Sequence, residues 1–135
     1  MPVYIEVFMT PLTDSQTAQV AVAALLVFIM LDVLFGTVNA CLTGTFSSRK
    51  MREGLAHKLA ELGYAIAALV IDGTIVGGLN LGFSAPVLVA TCTMLCVMEL
   101  GSLMEILNKM NPDLGKLKVF QVLNDVKGDG NDGVD

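Results

Sequence analysis

Apolar positions along this chain gather into three long runs, at about residues 17–43, 57–81 and 85–107. None keeps the apolar–polar alternation of a half-buried strand. Each is long enough for the ~20 residues that a helix needs to cross the hydrocarbon of a bilayer. Within lipid a backbone with no water to bond to must satisfy its own polar groups, which a single segment does only as a helix. The pattern therefore predicts an all-α membrane protein with three transmembrane helices.

Polar residues mark where the helices begin and end. Thr13-Asp14-Ser15-Gln16 fits a capping box, with Thr13 as N-cap and Gln16 three residues on. Ser84 followed by Pro86 suits the start of the third helix, and Asn108, Asn111 and Pro112 suit its end. Gly77 to Gly82 reads as a charge-free turn. A three-span domain over 14–112 is thus flanked by two smaller segments. In residues 1–13, Tyr4 and Phe8 share one face of a short interfacial helix, with a disordered end as the other reading. In 113–135, Leu114, Leu117, Phe120 and Leu123 recur every third residue and predict a short interfacial helix ahead of an acidic tail.

The apolar runs are interrupted at regular intervals. In the first, Asp32, Gly36, Asn39 and Thr43 share a face, and Gly36, Ala40 and Gly44 form a ladder of small residues suited to close helix contact. In the second, Lys58, Glu61, Ala65, Ala68 and Asp72 form one stripe, Lys58 and Glu61 are spaced to pair, and Gly73 and Gly77 make a GxxxG. In the third, Glu99, Ser102 and Glu105 follow one another at intervals of three. Ionisable groups inside a span cost ~2.5–3.5 kcal/mol on insertion scales and turn toward protein or water rather than lipid. These acids either pack between helices or line water in an assembly, and three helices enclose too little space for the second without sister copies.

Charge placement gives an orientation. Arg49, Lys50, Arg52 and Lys58 lie between the first two spans, and Lys109, Lys116, Lys118 and Lys127 lie after the third; the N-terminal segment and the 79–85 turn have no basic residue. Cytoplasmic connectors collect Lys and Arg. Three spans place both clusters on one side, so the N-terminus is expected outside and the C-terminus in the cytoplasm.

Composition agrees: 54% of residues are hydrophobic, 16% charged, and mean hydropathy is +0.70, against about 25% charge in soluble domains. The net charge of −5 owes five of its acids to the last 23 residues and points to no nucleic acid or other partner. Cys41, Cys92 and Cys96 act as small hydrophobes, with no disulfide, metal or redox role. The N-terminus has no cleavable signal pattern. Asp125, Asp129 and Gly130 echo a calcium loop, but Lys127 takes a ligand position and no Glu closes it. His57 has no catalytic company, and no enzyme constellation, phosphate loop or cofactor site is present.

The order of these elements resembles the small three-span phage lysis holins that include the toxin-secretion holins. The likeness runs from about residue 25 to 112. It rests on Leu31-Asp32-Val33-Leu34-Phe35-Gly36, the Ser47-Ser48-Arg49-Lys50 connector with Gly54, Ile71-Asp72, and Glu99, Ser102, Glu105 and Asn108. The family often has Glu and Asn adjacent at the end of the third span, whereas Ile106 and Leu107 intervene here. The resemblance implies a homo-oligomer in the bacterial cytoplasmic membrane that opens lesions, letting a murein hydrolase or toxin out without necessarily touching it. Helix-contact or pore-lining residues would then be Asp32, Gly36, Asn39, Ala40, Asp72, Gly73, Gly77, Glu99, Ser102 and Glu105, with Arg49, Lys50, Arg52 and Lys58 setting topology. A non-lytic antiholin or assembly subunit of the same topology is the alternative, followed by a small cation-coupled transporter.

Overall fold

The third long helix is the one the others lean on. The computed structural model describes residues 3–79, 86–118, 121–122 and 125–126, which hold helices and turns and no strand. The elements are α1 (Val3–Thr13), α2 (Gln16–Leu42), α3 (Ser48–Gly73, continued by a π-helical stretch Thr74–Gly78) and α4 (Val87–Met110), followed by a 3-10 turn at Pro112–Lys116. α4 packs along α2 and against α3, while α2 and α3 touch little; α1 folds back on α3 and its π-helical end.

α2, α3 with its extension, and α4 have mean hydropathies of 2.5, 1.7 and 1.9 over their most apolar windows, and all three are long enough to cross a membrane. Their large apolar side chains are mostly on the outside: Val20, Val27 and Met30 on α2, Leu59 and Ile66 on α3, Met94 and Val97 on α4. Asp32, Lys58, Glu61, Asp72 and Glu99 are buried. In water such an arrangement is inverted; in lipid it puts hydrocarbon against hydrocarbon and charge against charge. Inside, Leu25, Ile29, Ala68, Leu88, Cys92 and Leu95 form an apolar core at the α1 end of the bundle.

The helix starts and stops depart from the sequence reading: Gly77 and Gly78, expected in a turn, close the π-helical stretch, and Pro86, expected in the first turn of the third span, is the N-cap of α4. Thr13 does not cap α2, because α1 runs through it and its hydroxyl donates back to Thr10 O at 3.2 Å. The N-cap is Ser15, with extended backbone and a side chain that accepts from Ala18 N. Gly44 is not the last rung of a small-residue ladder. It follows the end of α2 with φ of 66°, while Gly44 N donates to Cys41 O and Thr45 N to Ala40 O. That pair of bonds is a Schellman cap, and the left-handed residue in it has no Cβ to strain.

α3 begins inside the basic connector at Ser48, so Arg49, Lys50 and Arg52 occupy its first turns. Cations at a helix N-terminus oppose the macrodipole, and only Arg49 is tied down, to Glu53 at 3.0 Å. Their placement does nothing for the helix itself. At the other end, α4 runs to Met110, slightly past the expected boundary, and Asn111 Oδ1 accepts from Asp113 N to begin the 3-10 turn. The described residues beyond it, 118, 121–122 and 125–126, are helical. Phe120, Leu123, the acidic tail, Ser84 and most of the 79–85 turn lie outside the described residues.

Candidate functional site

Three helices each send a charged group to one place. Lys58 of α3 is 8% exposed, and its Nζ donates to Glu99 Oε1 of α4 and stands 3.1 Å from Asp32 Oδ2 of α2 and 3.7 Å from Glu61 Oε2 one turn along α3. Glu99 is 2% exposed and Glu61 4%. Because α3 starts at Ser48, Lys58 lies ~15 Å down the helix axis at ~1.5 Å per residue, and the stripe Lys58, Glu61, Ala65, Ala68, Asp72 is turned inward as a seam. Lys58, which by sequence belongs both to the basic connector and to the stripe of the second span, is the hub of the buried charges. Its role was signalled by acids in the other two spans that only a cation at similar depth can answer.

One cation faces three carboxylates. Asp32 Oδ1, Glu61 Oε2 and Glu99 Oε2 are buried without a hydrogen-bond partner. His57 reaches Glu61 Oε1 at 3.3 Å from the exposed side. A buried ion pair is held only if the remaining lone pairs are also met, so this cluster is polar, dense and incompletely satisfied by protein groups.

Beside it opens a cleft of about 270 Å³. Gly36, Thr37 and Ala40 of α2, the connector residues Thr45–Ser47, and Lys50, Gly54 and Leu55 of α3 line it, with Ile106 of α4. Asp32 and Lys58 are at its inner limit, so the cleft connects the connector side of the bundle to the charge cluster. Gly36 leaves room here: a methyl added to it would meet Ile106 Cδ1 at 3.6 Å. Asn39 is half-buried and Thr43 exposed, so the polar face of α2 turns outward toward its end.

The remaining candidates fall elsewhere. Asp72 does not join the cluster. Its two carboxylate oxygens accept from Val87 N at 3.1 Å and Leu88 N at 2.8 Å, capping α4 from a neighbouring helix. Gly73 and Gly77 face α1: a methyl on Gly73 would stand 2.7 Å from Phe8 Cα, and one on Gly77 2.5 Å from Val7 O. The GxxxG thus receives the backbone of α1 within the same chain. Ser102 is half-buried, and Glu105 is exposed and paired with Lys109 at 2.9 Å, away from the cluster. Cys92 is packed in the apolar core and Cys41 is exposed. Among the described residues no group of His, Cys, Asp and Glu could hold a metal ion.

No curated protein and no solved structure matches the chain. The bacteriophage holin family matches residues 15–125, from the N-cap of α2 through all three long helices and leaving α1 outside. With its three membrane-length helices and inward-facing charge, the chain belongs to the bacteriophage holin family.

Proposed function

We propose that this protein acts as a holin: it accumulates in the host cytoplasmic membrane, N-terminus outside and C-terminus in the cytoplasm. There it associates with copies of itself and opens lesions through which a murein hydrolase, or a toxin, reaches the outside. The family is one of non-enzymatic, membrane-permeabilising proteins, and the protein is accordingly not an enzyme. The observation that carries the reading is the inverted distribution of the long helices, with charge inside and large hydrophobes outside, in a chain whose basic residues fall on the two segments that three spans place together.

In this reading the α2 face of Asp32, Gly36, Asn39 and Ala40 takes part in assembly, since Asp32, Gly36 and Ala40 line an open cleft rather than a filled interface. Gly36→Leu should fill that cleft, delaying or abolishing lysis while leaving insertion intact. Unchanged timing removes the face from the account. A second reading, a non-lytic antiholin or assembly subunit, is favoured by one observation: Lys58 already answers Asp32 and Glu99 within a single chain.

Expression in a bacterium, with and without a cytoplasmic murein hydrolase, separates the two. A lesion former collapses the membrane potential abruptly, and the culture clears only when the hydrolase is present. A regulator does neither. Clearing without hydrolase would contradict both.

A further inference from the structure

The buried cluster contains more negative charge than its own cation can offset. Asp32 reaches it from α2, Lys58 and Glu61 from α3, and Glu99 from α4. His57, on α3, touches Glu61 from the exposed side, and Cys96 of α4 lies one turn before Glu99. The Glu61 and Glu99 carboxyls both face the one Lys58 ammonium, yet Oε2 of each is buried with no donor. Lys58 is committed to Glu99 Oε1 and to Asp32, and at 3.7 Å it is beyond bonding distance of Glu61 Oε2.

Two carboxylates only accept, so neither can satisfy the other; a carboxyl and a carboxylate can, through one short O–H···O⁻ bond. Like charges sharing a site cannot both ionise without large repulsion, and the surrounding hydrocarbon gives little screening. We propose that Glu61 and Glu99 form a proton-binding site, one proton being held between their carboxyls in the three-helix form. The proton comes from water, and no bond other than its own O–H is made or broken. Binding it removes one of the two excess negative charges, and His57 can offset the other when charged. The cleft reaches the neighbouring Asp32 and Lys58 from the connector side, which gives water and protons a path to the cluster. A proton fits better than a metal ion because the described residues offer no metal-ligating group.

The proposal does not rest on lesion formation and is tested without it. The full chain is placed in phospholipid nanodiscs at neutral pH, and the carbonyl stretch of protonated carboxyl groups is recorded by infrared difference spectroscopy. The expected result is a band of about one carboxyl per chain that shifts in deuterated water. It disappears in both Glu61→Gln and Glu99→Gln and persists in Glu105→Gln, whose carboxyl is exposed. Glutamine supplies an N–H donor in place of the shared proton, so both variants should keep wild-type helix content. A wild-type spectrum with no such band overturns the proposal, whatever the variants do. A band that survives both substitutions also overturns it, as does one that appears only when sodium and potassium are withdrawn, which would assign the site to an alkali cation.

Discussion

Lys58→Met is the substitution on which the structure commits itself most. Methionine keeps the length of the apolar stem and removes only the ammonium. Asp32 and Glu99 then lose the partner they share, at 11% and 2% side-chain exposure, and Glu61 loses an ammonium 3.7 Å away. Removing one member of a buried ion pair costs about 3–5 kcal/mol, because the surviving charge stays buried and unpaired. Two carboxylates depend directly on Lys58, and part of the charge can be relieved by protonation, so the expected loss stays near that range rather than doubling it. Reversible unfolding of the chain in mixed micelles, followed by helical circular dichroism, measures it. The compensating variant Lys58→Met/Asp32→Asn/Glu61→Gln/Glu99→Gln should recover most of the loss, since a neutral cluster of similar volume needs no cation. If Lys58→Met were as stable as the parent, Lys58 would be reaching the membrane surface instead of the cluster, and the buried hub would be wrong.

Asp72→Ala removes the cap on α4 and leaves Val87 N and Leu88 N without their acceptor; about 1–2 kcal/mol should be lost in the same unfolding assay. Gly77→Leu drives a side chain into Val7, with about 1–3 kcal/mol of overpacking to relieve, and α1 should lift, so that a cysteine replacing Val7 reacts faster with a membrane-impermeant maleimide. Gly44→Ala strains a left-handed residue with open space around it and should cost about 1 kcal/mol through the backbone alone. Lys109→Ala, which removes an exposed partner of Glu105, should change stability by no more than about 0.5 kcal/mol.

How far the sequence carries the fold follows from which interactions are local. The three spans were legible because their signal is composition over some twenty residues, and lipid leaves the backbone few alternatives. The inward stripe of α3 was legible for the same reason, since Lys58, Glu61, Ala65, Ala68 and Asp72 obey one helical period. What the stripe meets was not. Asp72 caps amides on the next helix, and nothing at Val87 or Leu88 advertises a missing acceptor. Gly73 and Gly77 read as a generic helix-contact motif, and only the fold shows that its occupant is α1. Thr13 reads as the cap from its spacing to Gln16, and only the existence of α1 through Thr13 moves the cap to Ser15.

Apolar burial does little to choose which faces of these helices meet, because lipid tails are as apolar as the side chains they would exchange for. The polar contacts have to choose, and here they fix a register. Lys58 bonds Glu99 at one level, and Asp72 bonds the amides of Val87 and Leu88 at another. The two anchors lie about 21 Å apart on α3 and about 17 Å apart on α4, taking ~1.5 Å of rise per residue, and the long stem of Lys58 spans the difference. A shift of one residue in either direction would break one anchor, and a rotation of either helix would expose a charge to lipid. Asp32 then ties α2 to the same hub, although α2 and α3 scarcely touch. A bundle registered by so few polar contacts leans on each of them, and at the Asp32 contact the apolar surfaces on either side would be nearly indifferent to its loss.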